Sequence, residues 1–151
     1  IISPQTSYQI LSILRGAIKR GTGKSLNSIQ YPIAGKTGTT NDSKDLWFFG
    51  LTPKFVVGVY VGYDNPKKIG YRETGSSVAL PIFKSFMEAY LQEDIDEDID
   101  FFIPDNIILK RIDPNTGTFE TKNLSIIEYF TKDQLETINN LNKVDTIGGI
   151  N

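Results

Sequence analysis

The stretch that most restricts the possible folds of this 151-residue chain is residues 55–63, Phe-Val-Val-Gly-Val-Tyr-Val-Gly-Tyr. It alternates between a face of large apolar side chains and a face on which glycines separate Val56 and Tyr60. This pattern predicts a β-strand. Because neither face carries a charge, we expect both to be buried, with the glycines allowing another element to approach closely. Such a strand needs a sheet that other elements cover.

Two further strands are predicted upstream, over residues 31–39 and 46–52. The turn-forming cluster Asn41-Asp42-Ser43 lies between them, and Pro53 stops the second. Since short turns join the three strands, we expect them to form an antiparallel sheet.

Helices are predicted on both sides of these strands in the sequence. Residues 4–20 place apolar side chains at helical spacing, with Ser3 as an N-cap and glycines at 21 and 23 as a stop. Residues 77–91 carry a second apolar stripe, with Pro81 either in the first turn or at a kink. The fold class is therefore α+β, an antiparallel sheet flanked by helices.

The composition changes after the second helix. Six carboxylates between residues 92 and 100 indicate an exposed acidic linker. Beyond it we predict a hairpin of residues 107–112 and 118–119, and a short helix over 131–140 with Thr131 as N-cap. The predicted organisation has a main domain, a linker and a C-terminal extension, at residues 1–91, 92–105 and 106–151.

Missing residue types exclude several chemistries. The chain has no Cys and no His, which excludes a thiolate nucleophile, a Ser-His-Asp triad and a His-ligated zinc site. A net charge of −2 gives no reason to expect nucleic acid as a partner. No apolar run has the length of a membrane span, and we expect neither a cofactor nor a metal.

The run Ala-Gly-Lys-Thr-Gly-Thr-Thr at residues 34–40 is the strongest candidate for a binding site. In a strand, Lys36 and Gly38 point one way and Thr37 and Thr39 the other. The edge of such a strand can bind an extended peptide, while the cation and the hydroxyls hold its carboxylate. The alternative is purely structural, a strand with Thr for β-propensity and a Gly bulge.

Three other motifs are weaker. Gly35-Lys36-Thr37 and Gly23-Lys24-Ser25 resemble the end of a phosphate-binding loop, but neither has a Gly five positions before its Gly-Lys pair. The acidic run around residues 96–100 starts like a calcium loop, but Phe101 stands where that loop needs Gly. We interpret Ser25-Leu26-Asn27, which matches Ser-x-Asn, as a coincidence.

The sequence around residues 34–66 resembles the transpeptidase domain of class A, 1A-type penicillin-binding proteins, strongly over about the first 90 residues and loosely beyond them. Segments on both sides of the Lys-Thr-Gly motif match the family in the same order. They are Ser3-Pro4-Gln5, Arg20-Gly21-Thr22-Gly23, Ala34 to Asp42, Lys44 to Phe48, Gly50 to Pro53, Val59 to Pro66, Thr74-Gly75 and Ala79 to Phe83.

The resemblance implies a β-lactamase/transpeptidase-like fold and peptidoglycan cross-linking, in which a Ser attacks the penultimate D-Ala carbonyl of a stem peptide. It implies stem peptides and β-lactams as partners, and a cleft with the motifs Ser-x-x-Lys, Ser-x-Asn and Lys-Thr-Gly. Lys36 would be the catalytic cation, and Thr37, Gly38 and Thr39 would bind substrate. The Thr39 amide would be one oxyanion-hole donor. Trp47 is expected to pack as core beside the sheet.

The nucleophile motif is missing, because no Ser in the chain is followed by Lys three positions later. We therefore expect an incomplete fold in which this chain alone is inactive and belongs to a longer enzyme, anchored at the periplasmic face of the bacterial inner membrane. The alternative is a non-catalytic module that binds peptide or self-associates through an exposed sheet edge. A complete small enzyme of the β-lactamase or carboxypeptidase type would need the same missing motif.

Overall fold

The computed structural model describes residues 2–93, 99–119 and 125–147, and the side chains of all of these except residues 93 and 141–147. The chain is divided into two compact units, one made of Ile1–Ser12 with Ile103–Asn151 and the other of Ile13–Phe102. Most of the predicted acidic run, residues 94–98, lies outside the described residues.

Helix α1, Pro4–Lys19, confirms the helix predicted at the start of the chain. Its first turn is capped as expected, because the Thr6 N–H donates to Ser3 Oγ at 3.1 Å. At its other end the N–H groups of Gly21 and Gly23 both donate to the Ala17 carbonyl at 3.1 Å. The helix therefore ends where the sequence places its glycines.

The second unit contains the three predicted strands, β1 (Ala34–Thr39), β2 (Asp45–Leu51) and β3 (Val56–Gly62). They form an antiparallel sheet in the order β1-β2-β3. A short 3-10 turn, Asn41–Ser43, joins the first two strands, with Asp42 and Ser43 in the left-handed region at φ 63° and 52°. The α+β fold class with an antiparallel sheet is confirmed.

Helix α2, Leu80–Glu93, covers one face of this sheet and follows a π-helical turn, Gly75–Ala79. Pro81 lies in the first turn of α2, as the sequence allowed. The fully buried Phe48 of β2 packs against Phe83 of α2, with ring centroids 4.9 Å apart. Leu80 and Met87 belong to the same core.

Gly50 allows β2 and α2 to approach this closely. A Cβ built at this position would lie 2.2 Å from the ring of Phe83. We expect Gly50→Ala to lower the free energy of unfolding by about 1–3 kcal/mol, because the helix would have to move away from the strand. Thermal unfolding of the two proteins measures the difference.

The matched control is Gly16→Ala in α1, where the Cβ would meet only the terminal atoms of the flexible Arg20 side chain. An Ala there is expected to leave stability unchanged or raise it by roughly 0.5–1 kcal/mol, since Gly is a poor helix former. Equal stabilities for the Gly50 variant and the original protein would contradict this account of the core.

The expectation that both faces of β3 are buried is wrong. Val57 and Val59 pack against the core, but Val56 is 63% exposed and Tyr60 is 49% exposed on the opposite face. Within the described residues, β3 pairs with β2 alone and is an edge strand of the sheet. Its uncharged second face therefore lies in the open, on the side away from α2.

The other unit contains strands β4 (Ile107–Ile112) and β5 (Ile126–Thr131), paired antiparallel from Ile107↔Thr131 to Ile112↔Ile126. The predicted turn at residues 113–117 forms, with Asp113 N–H donating to Thr118 O at 2.9 Å. The predicted hairpin partner is wrong, because residues 118–119 contribute only an isolated bridge, Ile112↔Phe119, and the strand that pairs fully with β4 is β5.

Helix α3, Lys132–Ile147, follows β5 and confirms the predicted helix, which continues beyond residue 140. Thr131 caps it as expected, since Gln134 N–H donates to Thr131 Oγ1 at 3.3 Å. The ring of Tyr8, on α1, meets that of Tyr129 edge to face at 5.1 Å. Gln9 donates to the carbonyl of Tyr129 at 2.8 Å, so the start of α1 belongs with this unit.

In the described part of the chain, no helix combines the length and the apolar character that crossing a membrane requires.

Candidate functional site

The candidate site is the outer edge of β1. The Thr40 N–H donates to Asp45 O at 3.0 Å, towards β2. Backbone groups of an antiparallel strand alternate in direction, so Lys36 and Gly38 also turn their N–H groups towards β2. The N–H groups of Thr37 and Thr39 consequently face away from β2. Among the described strands, β1 has no partner on that side.

The Lys36 side chain is exposed and bends back to this outer edge. Its Nζ donates to the carbonyl of Thr37 at 2.8 Å. The Thr37 carbonyl, which faces away from β2, thus already accepts a hydrogen bond. The outward-facing N–H groups of Thr37 and Thr39 lie on either side of it. The edge therefore presents one positive charge together with backbone donors, which suits an anionic ligand.

The side chains of the motif follow the alternation predicted for a strand. Lys36 and Gly38 lie opposite Phe49 and Trp47 of β2, whereas Thr37 lies opposite the buried Phe48. The Thr37 hydroxyl is within hydrogen-bond distance of the Thr22 hydroxyl, at 3.2 Å. The hydroxyls consequently lie on the helix-covered face and the cation on the other, and they meet only at the strand edge.

Thr39 is fixed by the segment that leads into α2. Its Oγ1 accepts a hydrogen bond from Gly75 N at 3.0 Å. Thr74 and Ser77 form a capping box at the start of this π-helical turn. Gly75 is buried, and a Cβ on it would lie 2.3 Å from Trp47 O and 2.6 Å from Gly38 O. The turn thus rests directly on the backbone of the Lys-Thr-Gly motif.

The exposed face beside Lys36 and Gly38 is aromatic. The rings of Trp47 and Phe49 stack at 5.4 Å, and those of Trp47 and Tyr60 lie 4.5 Å apart. The expectation that Trp47 is a core residue is wrong, because its side chain is only half-buried and lies on the face opposite Phe48. The alternation of β2 gives the core positions to Leu46 and Phe48 instead.

A polar network ties the end of β1 to the other two strands. Asp45 accepts hydrogen bonds from the Tyr60 hydroxyl at 2.8 Å and from Thr40 Oγ1 at 3.1 Å. The hydrogen bond to the Asp45 carboxylate raises the pKa of the Tyr60 phenol above its ordinary value, and the negative charges of Asp45 and Asp64 act in the same direction. The phenol thus acts as the donor in the hydrogen bond that links β3 to the start of β2.

The Ser25-Leu26-Asn27 match has a structural explanation. Leu26 is buried in the core, and the Asn27 side chain donates to the carbonyl of Lys19 at 3.2 Å, at the end of α1. By contrast, sequence reasoning did not single out Asp45, Tyr60 or Thr22 as neighbours of the motif. Thr74 followed three residues later by Ser77 is a local sign of a helix start, but no local pattern indicates that this turn rests on the motif.

An antiparallel sheet flanked by helices, with a Lys-Thr-Gly strand at its free edge, is consistent with the resemblance found in the sequence. Residues 1–88 match the family model of the penicillin binding protein transpeptidase domain. The chain therefore belongs to the penicillin-binding protein transpeptidase family.

Individual relatives of this chain are penicillin-binding proteins 1A. It is 48% identical over 141 residues to penicillin-binding protein 1A of Rickettsia conorii, covering 93% of this chain and 17% of that protein. It is 44% identical over 119 residues to penicillin-binding protein 1A of Pseudomonas aeruginosa, covering 78% of this chain and 14% of that protein. The solved structure of penicillin-binding protein 1A from Haemophilus influenzae superposes with a TM-score of 0.76 at 31% identity, over 89% of this chain and 21% of that one. This chain thus spans about a fifth or less of the length of these relatives.

Proposed function

We propose that this chain forms one wall of the active site of a peptidoglycan D,D-transpeptidase, which cross-links stem peptides by serine acyl transfer and binds β-lactams. The observation that carries the proposal is the outer edge of β1, where Lys36 Nζ lies 2.8 Å from Thr37 O and the Thr39 amide faces away from β2. A cation beside free backbone donors is what an extended peptide with a terminal carboxylate needs.

Each residue of the motif has a separate role in this proposal. Lys36 is the catalytic cation, whose charge favours the substrate carboxylate and the anionic transition state. The amide of Thr39 is one oxyanion-hole donor. The hydroxyls of Thr37 and Thr39 bind the substrate carboxylate; Thr39 Oγ1 accepts from Gly75 N, which leaves its own hydrogen available to donate. Gly38 keeps the backbone accessible to the peptide.

The nucleophile in this proposal comes from another part of the gene product that contains this chain. None of the serines in the sequence is followed by Lys three positions later. Without that pair the chain can bind but cannot form an acyl-enzyme. The residues named here consequently hold and polarise the substrate while another segment attacks it.

Fluorescent penicillin tests this division of labour. The gene product that contains this chain should form a covalent adduct of one penicillin per molecule, and the 151-residue chain alone should form none. Denaturing gel electrophoresis and intact-protein mass spectrometry measure both. A stoichiometric adduct on the chain alone would show that it holds a nucleophile, and no adduct on the gene product would overturn the assignment.

The proposal extends to domain organisation and location. Residues 1–91 are the C-terminal portion of the penicillin-binding domain, residues 92–105 a linker and residues 106–151 an extension. We place the site at the periplasmic face of the bacterial inner membrane, where peptidoglycan stem peptides are available, and expect no nucleic acid as a partner.

A second candidate function is a non-catalytic module that binds peptide or self-associates. The edge position of β3 favours it, because a seven-residue strand with an exposed Val56 can template another strand. Sedimentation of the chain over a range of concentrations distinguishes the two. A concentration-dependent dimer supports self-association through this edge, and a monomer at all concentrations contradicts it.

A further inference from the structure

The loop between α1 and a short 3-10 turn, Lys24–Ser28, brings a further hydroxyl to the Lys-Thr-Gly motif. Thr22 Oγ1 lies 3.2 Å from Thr37 Oγ1, although the two residues are 15 positions apart in the chain. Thr22 is exposed, whereas Thr37 is half-buried on β1. Both residues belong to the same compact unit, Ile13–Phe102. Thr22 is therefore the solvent-side member of a pair of hydroxyls at this strand.

Two glycines hold this loop against the end of α1. Gly21 and Gly23, on either side of Thr22, both donate their N–H groups to the Ala17 carbonyl at 3.1 Å. A Cβ on Gly21 would lie 2.8 Å from that carbonyl oxygen, and one on Gly23 would lie 3.0 Å from the Cα of Ile18. Residues without a Cβ allow the loop to approach the helix this closely. Backbone contacts on both sides thus fix the position of Thr22 before a ligand binds.

The two hydroxyls can form a chain of hydrogen bonds that ends on a ligand. Each hydroxyl has one hydrogen to donate and two lone pairs that accept. The contact between Thr22 and Thr37 uses one of the two hydrogens, so the other remains for a third group. An ionised carboxylate only accepts hydrogen bonds. When it takes the hydrogen of Thr37, Thr22 has to be the donor to Thr37, and a charged acceptor at the end of such a chain strengthens both bonds.

We propose that Thr22 is a positioning residue for the ligand carboxylate: it donates to Thr37 Oγ1 and thereby directs the hydrogen of the Thr37 hydroxyl towards that carboxylate. This inference rests on the proposed function, because it takes a carboxylate at the outer edge of β1 as the group to be bound. Lys36 supplies the positive charge there, and Thr22 fixes the direction of a donor. The pair of hydroxyls thereby adds to the preference of the site for a carboxylate over a neutral group in the same place.

The test compares a penicillin, which carries a carboxylate, with its methyl ester, which carries a neutral group at that position. Both compounds bear the same fluorophore on the side chain, and the second-order rate constant of acylation is measured for each with the gene product that contains this chain. The ratio of the two constants, acid over ester, reports how strongly the site recognises the carboxylate. Thr22→Val keeps the shape of the side chain but lacks the hydroxyl, and it should lower the ratio by about three- to tenfold.

Two further variants separate positioning of the carboxylate from support of the loop. Thr22→Ser keeps the hydroxyl and should retain the ratio of the original protein. Ser25→Ala removes an exposed hydroxyl from the 3-10 turn that follows the same loop, and it should retain the ratio as well. An unchanged ratio in Thr22→Val would overturn the inference. So would a fall of both rate constants by the same factor, because Thr22 would then only support the loop.

Failure of this inference and failure of the proposed function give different results. A penicillin adduct on the original gene product, together with an unchanged ratio in Thr22→Val, contradicts the role of Thr22 alone. The lack of an adduct with either compound contradicts the transpeptidase site and the role of Thr22 together.

Discussion

Replacing Lys36 with Ala in the gene product that contains this chain is expected to slow acylation by penicillin by about 100-fold or more. Lys36 is the cation at the outer edge of β1, and removing one preorganised donor from an anionic transition state costs on the order of 10²–10³ in rate. The acylation rate is measured by quenching the reaction of enzyme with fluorescent penicillin at successive times and quantifying the labelled protein. Because the side chain is exposed, the melting temperature should stay the same.

Lys44→Ala is the matched control for this prediction. Lys44 lies in the turn between β1 and β2, is also partly exposed, and forms a loose ion pair of 4.0 Å with Asp42. The variant removes the same charge from the same region and should acylate at the original rate. If Lys36→Ala acylates as fast as Lys44→Ala, Lys36 has no catalytic role.

Replacing Gly75 with Ala is expected to affect both stability and the site. The new Cβ would lie 2.3 Å from Trp47 O and 2.6 Å from Gly38 O, and both are backbone atoms that cannot turn aside. The turn would have to lift off β1, at a cost of about 1–3 kcal/mol in the free energy of unfolding. It would also lose the hydrogen bond to Thr39, so acylation should fall more than tenfold even at temperatures where the variant is folded.

Ser76→Ala provides the comparison at the neighbouring position. It removes a hydroxyl that lies 2.9 Å from Thr74 Oγ1 but adds no atom near the strand. We expect a loss of about 0.5–1.5 kcal/mol in stability and little change in acylation. Chemical denaturation gives the first quantity and penicillin labelling the second. Similar acylation rates for the Gly75 and Ser76 variants would mean that the turn does not position the motif.

Local patterns were enough to predict α1 and the strands of the three-stranded sheet. Ser3 and the glycines at 21 and 23 bound α1 because capping depends on residues within one turn. The three strands of the sheet follow from period-2 patterns and from turn residues between them. The predicted bounds differ from those of the structure by three residues or fewer at each end of these elements.

Contacts between distant residues could not be predicted in the same way. An uncharged second face on β3 was interpreted as buried, but a sequence does not tell whether a neighbouring strand or helix is present to cover it. Strand β5 was missed because a nearer segment, residues 118–119, offered a shorter turn to the same partner. Burial and pairing of this kind depend on tertiary context rather than on local propensity.

At the candidate site, too, local features were predictable from the sequence and contacts between distant residues were not. The order of Lys36, Thr37, Gly38 and Thr39 along a strand was predictable, and so was the alternation of their side chains. Their supports were not, because Gly75 is 36 residues from Thr39 along the chain and Tyr60 is 15 from Asp45. Side chains that position a site are drawn from several elements, and only the assembled sheet brings them together.

The position of Trp47 gives the protein a built-in optical probe. It is the only tryptophan of the chain, it is half-buried, and it lies directly across from Gly38 with its ring on Phe49 and Tyr60. Emission from such an indole depends on its exposure to water and on the rings around it. A ligand that covers the exposed face beside Gly38 therefore changes an intrinsic signal, so occupancy of this strand can be followed without a label.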